Sequence, residues 1–449
     1  MNSPTASNRD VTGDERQRGA TYALVLMFLV NLMNFYDRNV IGTVAEPIRK
    51  EFGLGDSALG WLGTAFVLMY AAVGLPLGRS ADRGNRPRIL GLGLAAWSLC
   101  TGAAAGAWNF ASLAVTRIGV GIGEAACAPA ANSLIGDIFP PQRRARALSV
   151  FMLGLPVGIM LSSFVSGAIA KAYGWRMTFV VAAIPGLLLA VLVSRLVDPP
   201  RGAADAAQVA PDSDRGFWPN IVLLLRIPTL RWIVLTGALH NFNAYAVNLF
   251  LPAYLGRYHG LDLRQANVIS GFLLGAIGIV SLLVAGIAAD RARRWRDDGR
   301  LLLGAMAIGI STPCFYMALI QGPGRVVPFM AWAGVAWLMY YFYYATVYAS
   351  LHDIVPPSMR GMAMSLYFFC MYVLGGAFGS SLLGMLSDHM AHRAMTAAGA
   401  AEMAERFRAA GLHDAFFAVP VIFALLTLAL LAAARTVSRD MAAMRARTG

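Results

Sequence analysis

Charge is what this chain has least of. Only 14% of its 449 residues are charged, against 57% hydrophobic, and the mean hydropathy is +0.58. So few charges cannot clothe a soluble protein of this length, which leaves a polytopic membrane protein. Lysine is almost missing: Lys50 and Lys171 are the only two, so the net charge of +13 rests on arginine. The arginines cluster between apolar segments, where topology and anionic lipid headgroups account for them and no nucleic-acid partner is implied. Cysteine is scarce as well. Cys100, Cys127, Cys314 and Cys370 lie inside apolar segments at no metal-like spacing, which predicts free thiols. No Walker loop, nucleophile elbow or HExxH motif occurs, so neither ATP-driven pumping nor membrane proteolysis has support. His389 and His392, read as a loop pair, have no further ligands nearby, and no metal or cofactor is expected. Met1–Ala20 is polar and the first apolar run is too long for a signal-peptide core, so no cleavable signal is read.

What is present is about twelve apolar runs of bilayer length, at roughly 21–45, 57–78, 89–107, 109–133, 147–170, 175–197, 229–255, 267–289, 301–320, 326–350, 361–385 and 415–436. The fold expected is an all-α membrane protein of two parallel six-helix bundles. Its parts are a tail over 1–20, bundles over 21–197 and 229–436, a polar linker over 198–228 and a tail over 437–449. Arginines follow the second span (Arg79, Arg83, Arg86, Arg88), the fourth (Arg143, Arg144, Arg146) and the eighth (Arg291, Arg293, Arg294, Arg296, Arg300). Positive-inside counting then places both termini in the cytoplasm, as an even number of spans requires, although Arg49 and Lys50 dilute the contrast.

The halves repeat each other. Asp137-Ile138-Phe139-Pro140-Pro141, then Arg144, Ala147 and Ser149, recurs as Asp353-Ile354-Val355-Pro356-Pro357, then Arg360, Ala363 and Ser365, each position offset by 216. Asn34-Phe35 matches Asn241-Phe242 at an offset of 207, and Gly78 with Asp82-Arg83 matches Gly286 with Asp290-Arg291 at 208. Two parallel six-helix repeats are the plan of a transporter with its site between them.

Four ionisable residues sit at membrane depth: Asp37 and Arg38 in the first span, Arg117 and Glu124 in the fourth. Each costs roughly 2.5–3.5 kcal/mol on insertion-derived scales, so such groups face protein or water and often mark a substrate or ion path. Asp37 and Arg38 can offset each other as a pair, and a structural salt bridge orienting the first helix is the plain alternative. The repeat argues otherwise. The counterparts of the four are Ala244, Tyr245, Ala333 and Tyr340, so the charge is confined to one half, whereas an architectural role would be duplicated. Arg117 and Glu124 are seven residues apart, two helical turns, and share a face. If that face looks at the first helix, two acids and two arginines surround one cavity.

The second half supplies aromatics: Tyr340, Tyr341, Phe342, Tyr343, Tyr344 and Tyr348 in the tenth span, Tyr367, Phe368, Phe369 and Tyr372 in the eleventh. His240, Asn241, Asn243, Tyr245 and Asn248 lie around the seventh. Most of these rings are ordinary packing or interface-belt residues, but a cavity charged on one side and aromatic on the other suits an amphiphile with an anionic head. On this reading Asp37 and Glu124 are the proton-coupling acids. Arg38, Arg117, Asn34, Tyr36, His240, Asn241, Tyr245, Tyr340, Tyr344 and Tyr367 are the candidates for binding substrate or setting the acids' pKa values.

Gly78-Arg79-Ser80-Ala81-Asp82-Arg83-Gly84-Asn85-Arg86 resembles the loop signature between helices two and three of the major facilitator superfamily, with the glycine after Asp-Arg displaced by one. Arg117-Ile118-Gly119-Val120-Gly121, continuing to Glu124, is similar to that superfamily's fourth-helix motif, and Asn34 to Asn39 with Asp82-Arg83 and Arg86-Pro87 resembles its spinster branch. The resemblance implies alternating access and, from animal members of the branch, lysophospholipid or sphingosine-1-phosphate substrates. It also implies a cytoplasmic gate at Gly78, Asp82, Arg83 and Arg86, with Asp290 and Arg291 as the repeated counterpart. The expected partners are protons, membrane lipids and a small amphiphilic or anionic substrate, bound by a monomer that is not an enzyme. A proton antiporter of amphipathic drugs is the rival within transporters. A membrane-embedded lipid enzyme and a non-transporting receptor are the rivals outside them.

Overall fold

The computed structural model describes residues 13–204, 217–356 and 359–448, and among them the ordered elements are helical throughout. Eleven helices are long and apolar enough to cross a membrane: α1 (Gln17–Phe52), α2 (Asp56–Gly74, helical on to Arg83), α3 (Arg86–Gly106), α4 (Phe110–Ile138), α5 (Arg146–Tyr173) and α6 (Trp175–Ser194) in the first half, then α8 (Leu263–Trp295), α9 (Gly299–Leu319), α10 (Val326–Asp353), α11 (Arg360–Ala397) and α12 (Glu405–Met444). A twelfth, α7 (Pro228–His259), qualifies only together with the short helix Pro219–Leu225 before it, from which it bends by 87°. Its polar content is the reason: His240, Asn241 and Asn243 are buried in its middle.

The helices outrun the apolar segments at several ends. The segment 13–20, expected to belong to a tail, already forms the start of the first helix, and residues 1–12 lie outside the described ones. α11 continues to Ala397, so His389 and His392 sit in helix and not in a loop; no metal-binding group of His, Cys, Asp or Glu occurs among the described residues. α12 starts ten residues before the apolar run that announced it. Helical hydrogen bonding does not stop where hydrophobicity does, and polar turns continue the rod into the headgroup region. Large side chains such as Leu92, Leu188, Ile287 and Leu428 remain more than 60% exposed on the outer faces, where lipid would cover them.

The repeat is visible in the bends. The first segment of α4 is Phe110–Glu124 and that of α10 is Val326–Tyr340, each shifted by 216 at both ends. α4 breaks at Ala125–Ala126 because Pro129, four residues on, has no N–H for the Ala125 carbonyl. Glu124 is therefore the last residue before a bend, as Tyr340 is in the other half. Three further helices carry π-type segments: Ser162–Ser166 in α5, Phe272–Ala276 in α8 and Met371–Gly376 in α11. Such segments leave backbone carbonyls for side chains and are common at functional sites.

Packing within the first half relies on small residues that let helices close up. A Cβ on Gly123 would lie 2.7 Å from the Gly93 carbonyl oxygen and 2.7 Å from the Trp97 backbone nitrogen, so α3 and α4 touch there through backbone. Gly123→Ala is expected to force them apart and destabilise the protein by about 1–3 kcal/mol, read as a lower melting temperature in detergent. The halves meet along α2 and α11 and along α5 and α8, with α1 against α7.

Candidate functional site

Asp37 and Arg38 follow each other on α1 and so point about 100° apart. They do not pair. Arg38 turns towards α4 and donates from Nε to Oε2 of Glu124 at 2.7 Å, with the arginine side chain 8% exposed and the glutamate fully buried. Its guanidinium also lies 4.5 Å from the ring centre of Tyr70, 5.2 Å from Phe35, 5.4 Å from Phe66 and 5.9 Å from Tyr372. Through NH1 it reaches the Tyr372 hydroxyl at 3.5 Å, and Tyr372 belongs to the second half. Arg38 is thus a cation in a ring of aromatics with one carboxylate partner. The expected Asp37–Arg38 pair is replaced by Arg38–Glu124, since consecutive helical residues cannot share a face.

Asp37 points the other way, into the first half, where Trp97 and Thr101 of α3 and Arg117 and Glu124 of α4 surround it. It is completely buried, and its carboxylate oxygens lie just beyond full hydrogen-bond geometry from the Trp97 Nε1 and Thr101 Oγ1 donors that face them. Arg117 is also buried, its Nε and one terminal nitrogen without a partner, and its guanidinium lies 5.3 Å from the Phe179 ring of α6. Glu124 Oε1 and Asn34 Nδ2 face each other just beyond full hydrogen-bond geometry. Groups of this kind are normally bonded when buried. A nest of loosely bonded donors and acceptors around two acids and a cation has room in its hydrogen bonding for a proton to arrive or leave.

The second half places a stack of rings around α7. His240 is sandwiched between Tyr340 and Tyr343, ring centres 4.2 and 4.0 Å away, with Tyr344 edge-on at 4.9 Å. Tyr340 donates to the His240 carbonyl at 2.6 Å, and the Tyr343 and Tyr367 hydroxyls meet at 2.8 Å. Both His240 ring nitrogens are buried without partners. Tyr348 stands edge-on to Tyr344 and Tyr367. Tyr245 approaches the charged cluster through Tyr372, which packs against Tyr70 of the first half at 5.3 Å.

Several other sequence candidates fall elsewhere. Tyr36 bonds Ser166 of α5 at 2.9 Å, and Asn241 donates to the Met371 carbonyl at 3.3 Å; both contacts stay within one half. Arg86 is fully buried in a clamp. It pairs with Asp137 of α4 and, at 2.7 Å, with Asp198, and donates to Ser133 and to the Pro199 carbonyl. Its counterpart Arg300 pairs with Asp353 at 2.7 Å and with Asp290 at 3.1 Å, while Arg291 lies over the Trp295 ring. Gly78, Asp82 and Arg83 belong to the helical end of α2, and their side chains lie outside the described residues. Tyr70, Phe66, Trp97 and Thr101 are site residues that sequence reasoning passed over. The only signal was that Phe66 and Tyr70 stand one helical turn apart on α2.

A family model, Major Facilitator Superfamily, matches residues 27–380. The chain belongs to the major facilitator superfamily. An MFS-type efflux pump of Mycolicibacterium smegmatis is 32% identical over 87% of this chain and 90% of its own length. Protein spinster homolog 3 of Danio rerio is 27% identical over 83% of this chain and 78% of its own. Among solved structures, a bacterial homolog of the human lysosomal transporter Spinster, inward-facing and unoccupied, superimposes with a TM-score of 0.84 at 27% identity, covering 94% of this chain and 98% of that one. This superfamily member is a spinster-like, multi-pass membrane transporter of the all-helical major facilitator fold, and not an enzyme.

Proposed function

We propose that this transporter carries an amphiphile with an anionic head, coupled to protons, across the cytoplasmic membrane with both termini inside the cell. The observation that carries the reading is the buried Arg38–Glu124 pair, held in a ring of aromatics and in reach of Tyr372 across the interface. Arg38 has one carboxylate partner. A proton on Glu124 removes that partner's charge and leaves a guanidinium fork, with the hydroxyls of Tyr70, Tyr245 and Tyr372 around it, for a substrate oxyanion. Asp37, behind it and without an ion-pair partner among the described residues, is the second place where a proton can rest. The rings of Tyr344, Tyr348 and Phe368 give the apolar part of such a substrate a wall.

A second reading, proton antiport of amphipathic compounds, draws on the likeness to the mycobacterial efflux pump and on the same ring of aromatics, which would hold a cationic head if Arg38 swung aside. Proteoliposomes separate the two. Uptake of lysophospholipids and of cationic dyes is measured with and without a pH gradient. The first reading expects saturable movement of the anionic lipid, accelerated when the proton gradient runs in the same direction as the substrate. Movement of cationic compounds alone, against the proton gradient, would replace it with the second.

A further inference from the structure

The ion pairs between the two halves, among the described residues, gather at one end. Among the described residues, four ion pairs join them: Arg257 with Glu46 and with Asp56, Arg49 with Glu405, and Lys171 with Asp262. All four lie at the end that carries the α1–α2, α7–α8 and α11–α12 connections. At the opposite end the described pairs, Arg86 with Asp137 and Asp198 and Arg300 with Asp290 and Asp353, stay within one half.

Arg257, in the last turn of α7, makes with Asp56 the one described pair across the halves whose side chains are both nearly inaccessible. Its NH1 and NH2 donate to the two oxygens of Asp56 at 2.8 Å each, and its Nε donates to Glu46 at 2.8 Å. Its side chain is 4% exposed, those of Asp56 and Glu46 2% and 17%. α11 completes the junction. Ser387 donates to Asp56 at 2.7 Å, while Asp388 accepts from the backbone nitrogens of Asp56 and Ser57 at 2.9 Å, capping the start of α2 from the other half.

We infer that Arg257 is the bolt of a second gate, opposite the one implied by the α2–α3 signature, and that opening this end of the transporter means withdrawing its guanidinium from Glu46 and Asp56. A purely structural pair would lie inside one half; this one ties surfaces that alternating access requires to separate, and only that requirement rests on the transport reading. Glu46 stands on the same continuous α1 as Asp37 and Arg38, so release of Arg257 frees the far end of the helix that carries the central charges. The energetics give the direction. With Arg257 in place, closure gives Asp56 a bidentate partner and Glu46 a second arginine beside Arg49, away from bulk water. Without it, Glu46 keeps Arg49 but closure leaves Asp56 dry with the Ser387 hydroxyl and no cation, and the open, hydrated state is favoured.

Spin labels at Leu54→Cys and Ala401→Cys, with the four native cysteines replaced, report the separation of the halves at this end by electron–electron distance measurement. Arg257→Gln is expected to add a longer-distance population that the parent lacks, Glu46→Gln a smaller one, and Arg257→Lys, which keeps the charge without the fork, an intermediate one. An unchanged distribution in a folded Arg257→Gln protein would overturn the inference. If Arg257→Gln does not fold, an unchanged distribution in both Arg257→Lys and Glu46→Gln would do so. No substrate enters the measurement, so its failure leaves the proposed substrate and coupling intact, and a failed uptake screen leaves the gate standing.

Discussion

Glu124→Gln is expected to abolish uptake driven by a pH gradient while substrate exchange across the membrane continues. Glutamine keeps the length of the side chain and an oxygen to accept from Arg38 Nε, now 2.7 Å from Oε2, but it can neither take nor lose a proton. It also removes the negative charge that occupies Arg38, so the guanidinium is permanently available to an oxyanion. Exchange needs only binding and reorientation; net accumulation needs a proton to travel with or against the substrate. Arg38→Ala is expected to behave differently. It leaves Glu124 buried beside Asp37, and removing one member of a buried pair costs about 3–5 kcal/mol. Thermal stability should therefore fall in Arg38→Ala far more than in Glu124→Gln, and exchange of anionic substrate should fail in the former. The two variants are measured side by side for exchange, gradient-driven uptake and melting temperature. Equal loss of all three in both would leave Arg38–Glu124 as a structural pair and withdraw the coupling assignment.

How far the sequence could be read depended on which physical signal each feature carried. The twelve-span plan was legible because hydropathy and the 216-residue echo of Asp137 to Pro141 are strong, redundant signals. That Arg117 and Glu124 share a face followed from two helical turns of spacing, while their facing the first helix was a condition the spacing did not supply. Which acid Arg38 takes was not legible. Adjacent charges in a linear string invite pairing, whereas the helix sends Asp37 towards α3 and Arg38 towards α4, α2 and α11. The ring around Arg38 was half hidden for a related reason: Phe66 and Tyr70 carry no charge and sit among ordinary apolar residues of the second span. The Arg257 junction was hidden by its own composition. Glu46, Arg49 and Asp56 flank a loop, where charges are first read as markers of topology, and nothing local says that their partner lies about two hundred residues away.

Arg86→Ala is expected to destabilise the first half strongly without moving the balance between inward-open and outward-open states. The signature to which Arg86 belongs implies a gate, but its contacts are those of a clamp. The guanidinium is wholly buried and satisfied by Asp137, Asp198, Ser133 and the Pro199 carbonyl, and its own backbone nitrogen donates to Asp198 at 3.1 Å. It binds the start of α3 to the end of α4 and to the chain leaving α6. Duplication points the same way: Arg300 pairs with Asp353 in the second half as Arg86 pairs with Asp137 in the first, whereas Asp37, Arg38, Arg117 and Glu124 have no charged counterparts. Removing Arg86 empties a wholly buried site and takes the main partner from two carboxylates that are 13% and 18% exposed, a loss of about 3 kcal/mol. Arg300→Ala should cost less, because Asp290 is 73% exposed and regains water when its partner goes. Melting temperatures of the two variants, with the distance distribution between labels at residues 54 and 401, test both statements. A shifted distribution at unchanged stability in Arg86→Ala would return the residue to the gate; a large drop in melting temperature with the parent's distribution would fix it as the clamp that holds the bundle's end while the gates on either side of the site do the moving.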